Sequence, residues 1–224
     1  MSKIQCEFEL DVDVDIESAK DKDYKGKCAF DKKCKGNYIM RYRDKHMFRY
    51  SLGYELRNDI GKNIVFILMN PSFADKQYLD KTLYNIKKFL EEKDKEKFFN
   101  RFIVLNLFPI RKSKSETDFD VQMEKYEELQ NKNDERILKI LSSEKIKDVF
   151  MAWGGKYHYI ATKKEWFKKL RERVISENIE IYAYLNNDGT PRHFSLIKKE
   201  EFKPLEELKV KLTNMPIFET NKKK

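Results

Sequence analysis

Residues 63–69 read NIVFILM and run straight into NPSFAD at 70–75. An apolar run of this length, with no polar residue at alternate positions, describes a strand buried on both faces. Strands of that kind belong to sheets covered by helices on both sides. The question raised is why such a strand delivers a carboxamide, a proline and a hydroxyl at its carboxyl end. The expectation is that Asn70 opens an active-site loop.

Three more apolar, β-branched runs follow: RFIVLNLF (101–108), IKDVFMAW (146–153) and IEIYAYL (179–185). Amphipathic stretches lie between them. Residues 79–92 put Leu79, Leu83, Ile86, Phe89 and Leu90 on one helical face, with Asp80 and Thr82 where an N-cap and first turn belong. Residues 121–142 and 159–177 read as helices in the same way. Alternation of this kind specifies an α/β fold, a three-layer α/β/α sandwich around a central four-stranded parallel sheet. A short strand or hairpin at MFRYSLGYEL (47–56) leads into it. The expected organisation is an N-terminal β extension over 1–46, the α/β/α domain over 47–200 and a basic C-terminal tail over 201–224.

Of the 224 residues, 40% are hydrophobic, 38% charged and 13% aromatic, so general disorder is excluded. The formal charge is +9, unevenly spread. Residues 1–23 hold eight acidic side chains against three lysines, which leaves an excess of 14 positive charges on the rest. A body this basic favours a polyanionic partner. FELDVDVDI (8–16) alternates strictly between apolar and acidic residues, as a half-buried strand does, and offers a surface for a protein partner. Residues 18–36 read as a lysine-rich, turn-prone stretch. Cys6, Cys28 and Cys34 do not have the tight spacing of zinc ligands, even with His46 added, and are read as reduced thiols with no metal. No signal peptide and no membrane span are visible. The expected compartment is the cytoplasm, with no cofactor and no membrane partner.

In parallel sheets the reactive groups gather beyond the carboxyl ends of the strands. Here those ends are MNPSFAD, VLNLFPIR, AWGGK and NNDGTPRHFSL. Asn106 stands out, because an amide inside a buried strand is costly unless fully hydrogen-bonded.

In order, these four ends resemble the motifs of the uracil-DNA glycosylase superfamily. LMNPSFAD (68–75) is similar to its Asn-Pro-Gly motif, whose Asn orients the attacking water. FIVLNLFPIR (102–111) is similar to the strand whose Asn reads a pyrimidine edge, and FMAWGGK (150–156) to a Leu-Trp-Gly segment. GTPRHFSL (189–196) is similar to the His-Pro-Ser loop, whose His stabilises the departing base and whose next residues probe the duplex. The pattern more closely resembles the family called domain of unknown function 1643. Its Asn-Pro-Ser-x-Ala-Asp, Asp-x-Thr, Asn-Leu-Phe, Trp-Gly and Gly-x-Pro-x-His correspond to Asn70 to Asp75, Asp80 with Thr82, Asn106 to Phe108, Trp153 with Gly154, and Gly189 to His193. This resemblance covers about residues 48–197. Ser72 stands where several glycosylase branches have glycine, Phe194 where they have proline, and the catalytic aspartate of the most active branch is absent.

The resemblance implies a protein directed at a nucleobase or nucleic acid, hydrolysing the N-glycosidic bond of a flipped or modified base. The alternative is a non-catalytic nucleotide- or nucleic-acid-binding accessory protein of phage or host-defence origin that uses the same pocket. The expected catalytic residues are Asn70, His193 and Asp75. Asn106, Phe73, Pro71, Ser72 and Trp153 are expected to bind the base. Phe108 could also stack on it, although a core position suits that ring better. Arg111, Lys112, Lys114, Lys156 and Arg192 form the expected basic rim for phosphates.

Overall fold

The computed structural model describes residues 23–28, 36–43, 46–56, 62–71, 81–93, 99–110, 126–177 and 179–216. The acidic stretch 8–16, Cys6 and Cys34 lie outside them, as do Ser72, Phe73, Asp75, Asp80, Arg111, Lys112 and Lys114.

Among the described residues seven strands form one sheet: β1 (Asp23–Cys28), β2 (Gly36–Arg43), β3 (His46–Glu55), β4 (Lys62–Leu68), β5 (Phe99–Asn106), β6 (Ile146–Ala152) and β7 (Glu180–Tyr182). Their order is β1-β2-β3-β5-β4-β6-β7. Four helices accompany them among the described residues: α1 (Lys81–Lys93), α2 (Glu127–Leu141), α3 (His158–Lys163) and α4 (Glu165–Glu177). The α/β class expected from the sequence holds. The sheet, however, is mixed. Strands β5, β4, β6 and β7 pair in parallel, while β3 lies antiparallel to β5 and is followed by antiparallel β2 and β1. The expected central four-stranded parallel sheet is therefore not a sheet by itself: the four runs that define it pair in parallel, within a sheet that is mixed as a whole. The outer edge of β5 would otherwise leave its peptide groups open to other chains, and residues Ser51–Glu55 of β3 close it.

Alternation along the central strands sorts their side chains onto two faces. Ile64, Phe66 and Leu68 of β4 and Phe102 and Val104 of β5 pack with Leu83, Ile86, Phe89 and Leu90 of α1. Val65, Ile67, Ile103 and Leu105 pack on the other face with Leu129, Ile137 and Ile140 of α2 and Trp166, Phe167 and Leu170 of α4. Each of these large side chains contributes about 1.5–3 kcal/mol by leaving water, far more than helix propensity does. The Arg173 guanidinium of α4 donates to the carbonyls of Leu141 and Ser143, where α2 ends. It thereby supplies donors to carbonyls that the helix leaves unpaired.

Four segments differ from the sequence reading. Within the stretch read as turn-prone, residues Asp23–Cys28 form β1, paired with β2. Residues 159–177 split into two helices because Lys164 is extended, with ψ 141°. The last strand stops at Tyr182, and the chain then turns back on itself, with Leu185 bridging Pro191 and Asn186 N–H donating to Thr190 O at 2.8 Å. Residues 201–216, read as the start of a tail, bury Phe202, Leu205, Leu208, Leu212 and Met215 in the two cores. Residues 208–210 also cover the edge of β7, through Ala183 N–H to Leu208 O at 3.0 Å and Val210 N–H to Ile181 O at 2.8 Å.

The connections fix where a ligand would sit. From β4 the chain passes through α1 to β5 on one side, then through α2 to β6 on the other. The direction of winding therefore reverses around β4. In open α/β sheets the crevice at such a switch point, beyond the strand carboxyl ends, is the usual ligand site.

Candidate functional site

At the switch point Leu68 is flanked by Asn106 of β5 and Ala152 of β6 in register. Strand spacing puts those two neighbours roughly 10 Å apart. Beyond the ladder, Leu107 and Phe108 N–H donate to the carbonyls of Leu68 and Met69, each at 2.8 Å. The two strand ends therefore stay side by side as Asn70 is reached. Asn70 is half-buried, and its Nδ2 donates to Pro71 O at 3.1 Å. Pro71 is buried.

Asn106 is fully buried, and neither its Nδ2 nor its Oδ1 has a hydrogen-bond partner among the described residues. By alternation its side chain shares the α1 face with Phe102 and Val104, opposite Leu105 and Leu107. An amide left so costs about 1–3 kcal/mol, and nothing in the packing of the core calls for it.

His193 reaches the same end of the sheet from the last loop. A Cβ added at Gly154 would lie 3.5 Å from the His193 Cβ, so the loop rests on the turn after β6. Gly154 has φ 87° and ψ 148°, a conformation open to little but glycine. At Gly155 an added Cβ would come within 2.5 Å of Thr190 Oγ1, which is why a second glycine is needed there. Ser195 N–H donates to His193 Nδ1 at 3.3 Å, and Ser195 Oγ lies 2.7 Å from the same nitrogen. With Nδ1 accepting, the neutral ring carries its proton on Nε2, as a donor.

Not every expected site residue lies on the Asn106 side of the sheet. Trp153 is fully buried in the core on the α2 side, between Trp166 and Phe167, and its Nε1 donates to His158 Nδ1 at 3.4 Å. It supports the strand end and is not placed to stack on a ligand. Phe108 is likewise a core ring, edge-on to Tyr157 at 5.2 Å. Arg192 is paired with Glu201 at 3.1 Å and donates to Leu196 O at 3.4 Å, which braces the His193 loop. Lys156 is exposed, its Nζ 5.2 Å over the Tyr157 ring. Among the described residues no three His, Cys, Asp or Glu side chains cluster as metal ligands. None of the described helices is long and apolar enough to cross a membrane.

The family model described as "Protein of unknown function (DUF1643)" matches residues 49–193. The chain belongs to this family. No curated protein and no solved structure matches it. The DUF1643 match opens within β3 and closes on His193, so Asn70, Asn106, Gly154 and His193 all fall inside it.

Residues outside the sequence reading also shape this end of the DUF1643 fold. Gln130 and Asn133 interrupt the buried stripe of α2, and that break in an otherwise apolar pattern was the available signal. His158, fully buried, links Trp153 to the C-terminal segment through Nε2 and Pro216 O at 2.8 Å. Burial holds its imidazole below the ordinary range, against the opposing pull of the Pro216 carbonyl and the Asp188 carboxylate. The unfolded chain therefore takes up this proton first as pH falls. The stabilisation from neutral His158 is complete above about pH 6.5 and is lost as pH drops toward the folded value, at no more than about 1.4 kcal/mol per pH unit. Thermal midpoints measured from pH 7.5 to 5.0 should fall more steeply for the wild type than for His158→Gln. Equal slopes would remove this residue from the account.

Proposed function

We propose that the chain is a nucleobase-directed protein on a uracil-DNA glycosylase-like α/β/α scaffold, cleaving the N-glycosidic bond of a base turned out of a nucleic acid. One observation carries the reading: a fully buried carboxamide without a partner among the described residues, at the switch point of the sheet. A pyrimidine edge offers a donor and an acceptor side by side, which is what Asn106 Oδ1 and Nδ2 complement.

In this reading Asn70, whose Nδ2 is held by Pro71 O, orients a water through Oδ1. The water oxygen bonds to the sugar carbon as the glycosidic bond breaks, and the base leaves with the bonding electron pair. A neutral amide cannot take the water's proton, so that role falls to Asp75. His193 donates from Nε2 to the oxygen of the departing base, where negative charge develops. Leu196, three residues on and 63% exposed, is the apolar side chain that would probe a duplex. The basic surface, Lys156 included, holds the phosphates.

The test is release of free base from single- and double-stranded oligonucleotides carrying uracil or other deaminated and modified bases. Release by the wild type that falls at least 100-fold in Asn70→Ala and His193→Ala supports the enzyme. Binding that survives both substitutions without turnover supports the second reading, a non-catalytic accessory protein using the same pocket. Neither release nor binding removes both.

A further inference from the structure

We propose that Asn133 and Gln130 of α2 are positioning residues that hold the end of β5 from beneath, so that the Asn106 carboxamide stays turned toward the ligand. The inference rests on the reading of Asn106 as the group that meets the base.

Just past β5 the chain still bonds to the β4 end through the N–H groups of Leu107 and Phe108, while the carbonyls of Asn106 and Leu107 accept from α2. Asn133 Nδ2 donates to Asn106 O at 2.9 Å and to Leu107 O at 3.4 Å. Gln130 Nε2 donates to Leu107 O at 3.0 Å. Both residues are buried, on a stripe otherwise formed by Leu129, Ile137, Ile140 and Leu141. Two more aliphatic side chains would have packed there at no polar cost. Instead two carboxamides are buried, and their Oδ1 and Oε1 atoms have no partner among the described residues. That cost is borne at the oxygen ends while the donor ends act. The orientation cannot be reversed, since it would turn an amide oxygen against a carbonyl.

The consequence falls on Asn106. Asparagine side chains commonly bond to nearby backbone groups. Here the Asn106 and Leu107 carbonyls already accept from the α2 face, while by strand alternation the Asn106 amide projects to the α1 face. The backbone is fixed from one side and the carboxamide is left without a local partner on the other. Gln130 is itself held by Asp134 Oδ1 at 3.0 Å, and Asp134 by Lys164 at 2.6 Å and the Trp166 indole at 3.2 Å. The start of α4 therefore frames the clamp.

Asn133→Leu and Gln130→Met keep side-chain volume and remove the donors. The first readout is the order parameter of the Asn106 side-chain ¹⁵N–¹H pair in the ligand-free protein, which needs no activity. It should fall in Asn133→Leu and fall less in Gln130→Met, where Leu107 O keeps its contact to Asn133. The second is the ratio of uracil to cytosine oligonucleotide release, or of affinity if the protein only binds. A misplacement of about 1 Å costs on the order of 100-fold, so a loss of about tenfold in that ratio is expected for Asn133→Leu. Should Asn133→Leu fail to fold, Gln130→Met decides. An Asn106 amide equally ordered in the wild type and every folded variant overturns the proposal. If no nucleobase perturbs the wild-type Asn106 resonance, the base-pocket reading fails instead, and the order parameter still decides the clamp.

Discussion

Asn106→Leu should give a protein about 1–3 kcal/mol more stable than the wild type and blind to the identity of a nucleobase. The two halves of this result have one cause. The carboxamide is fully buried with both ends unpartnered among the described residues, so its desolvation is uncompensated. A leucine of similar size placed beside Leu68 exchanges that cost for apolar contact. Once a base supplies a donor and an acceptor, the same carboxamide becomes the asset and leucine the liability. A site built to hydrogen-bond its ligand rejects poor matches steeply, because its own buried groups are then left unpaired. Discrimination between uracil and cytosine should fall by at least 100-fold, read from base release or from affinity. Urea unfolding of the empty protein supplies the other half, as a higher midpoint at constant slope. A variant less stable by 1 kcal/mol or more would show that Asn106 is a structural amide, and the pocket would lose its principal argument.

How much of this was legible beforehand depends on the kind of signal each residue leaves. NIVFILM announces a doubly buried strand because burial on both faces removes the alternation, and β4 runs from Lys62 to Leu68. Asn106 was legible for the opposite reason, as one amide in an apolar run. Trp153 misled because an aromatic beside two glycines reads alike in a pocket and in a core, and only the face it points to separates them. The break at Lys164 carries no proline or glycine, so no local rule marks it. Gln130 and Asn133 sit where helical periodicity calls for apolar residues, and one stretch of sequence does not show which strand end they meet. The early end of β7 is a tertiary effect. Past Tyr182 the chain pairs with its own return at Pro191 and with residues 208–210, and no longer with β6.

Phe194→Ala should be the most destabilising change at this end of the molecule, by about 3–5 kcal/mol. The ring is fully buried, with centroids 5.5 Å from Phe150, 5.6 Å from Phe66 and 5.7 Å from Phe89, each edge-on. Phe202 and Tyr184 close the cluster at 6.3 and 6.5 Å. Truncation leaves a cavity between α1 and the sheet that these rings cannot fill without leaving their rotamers. Phe194→Leu, which refills most of the volume, should recover more than half of the loss. The functional reach of the change follows from chain position. His193 precedes the anchored ring and Ser195 follows it, so the ring holds the backbone that aims the imidazole. Anchoring by burial can be titrated, because each lost contact loosens the loop in proportion. Any dependence of base release or binding on His193 should therefore weaken in the order Phe194, Phe194→Leu, Phe194→Ala. A Phe194→Ala protein that loses less than 1 kcal/mol would mean that this ring does not anchor the loop.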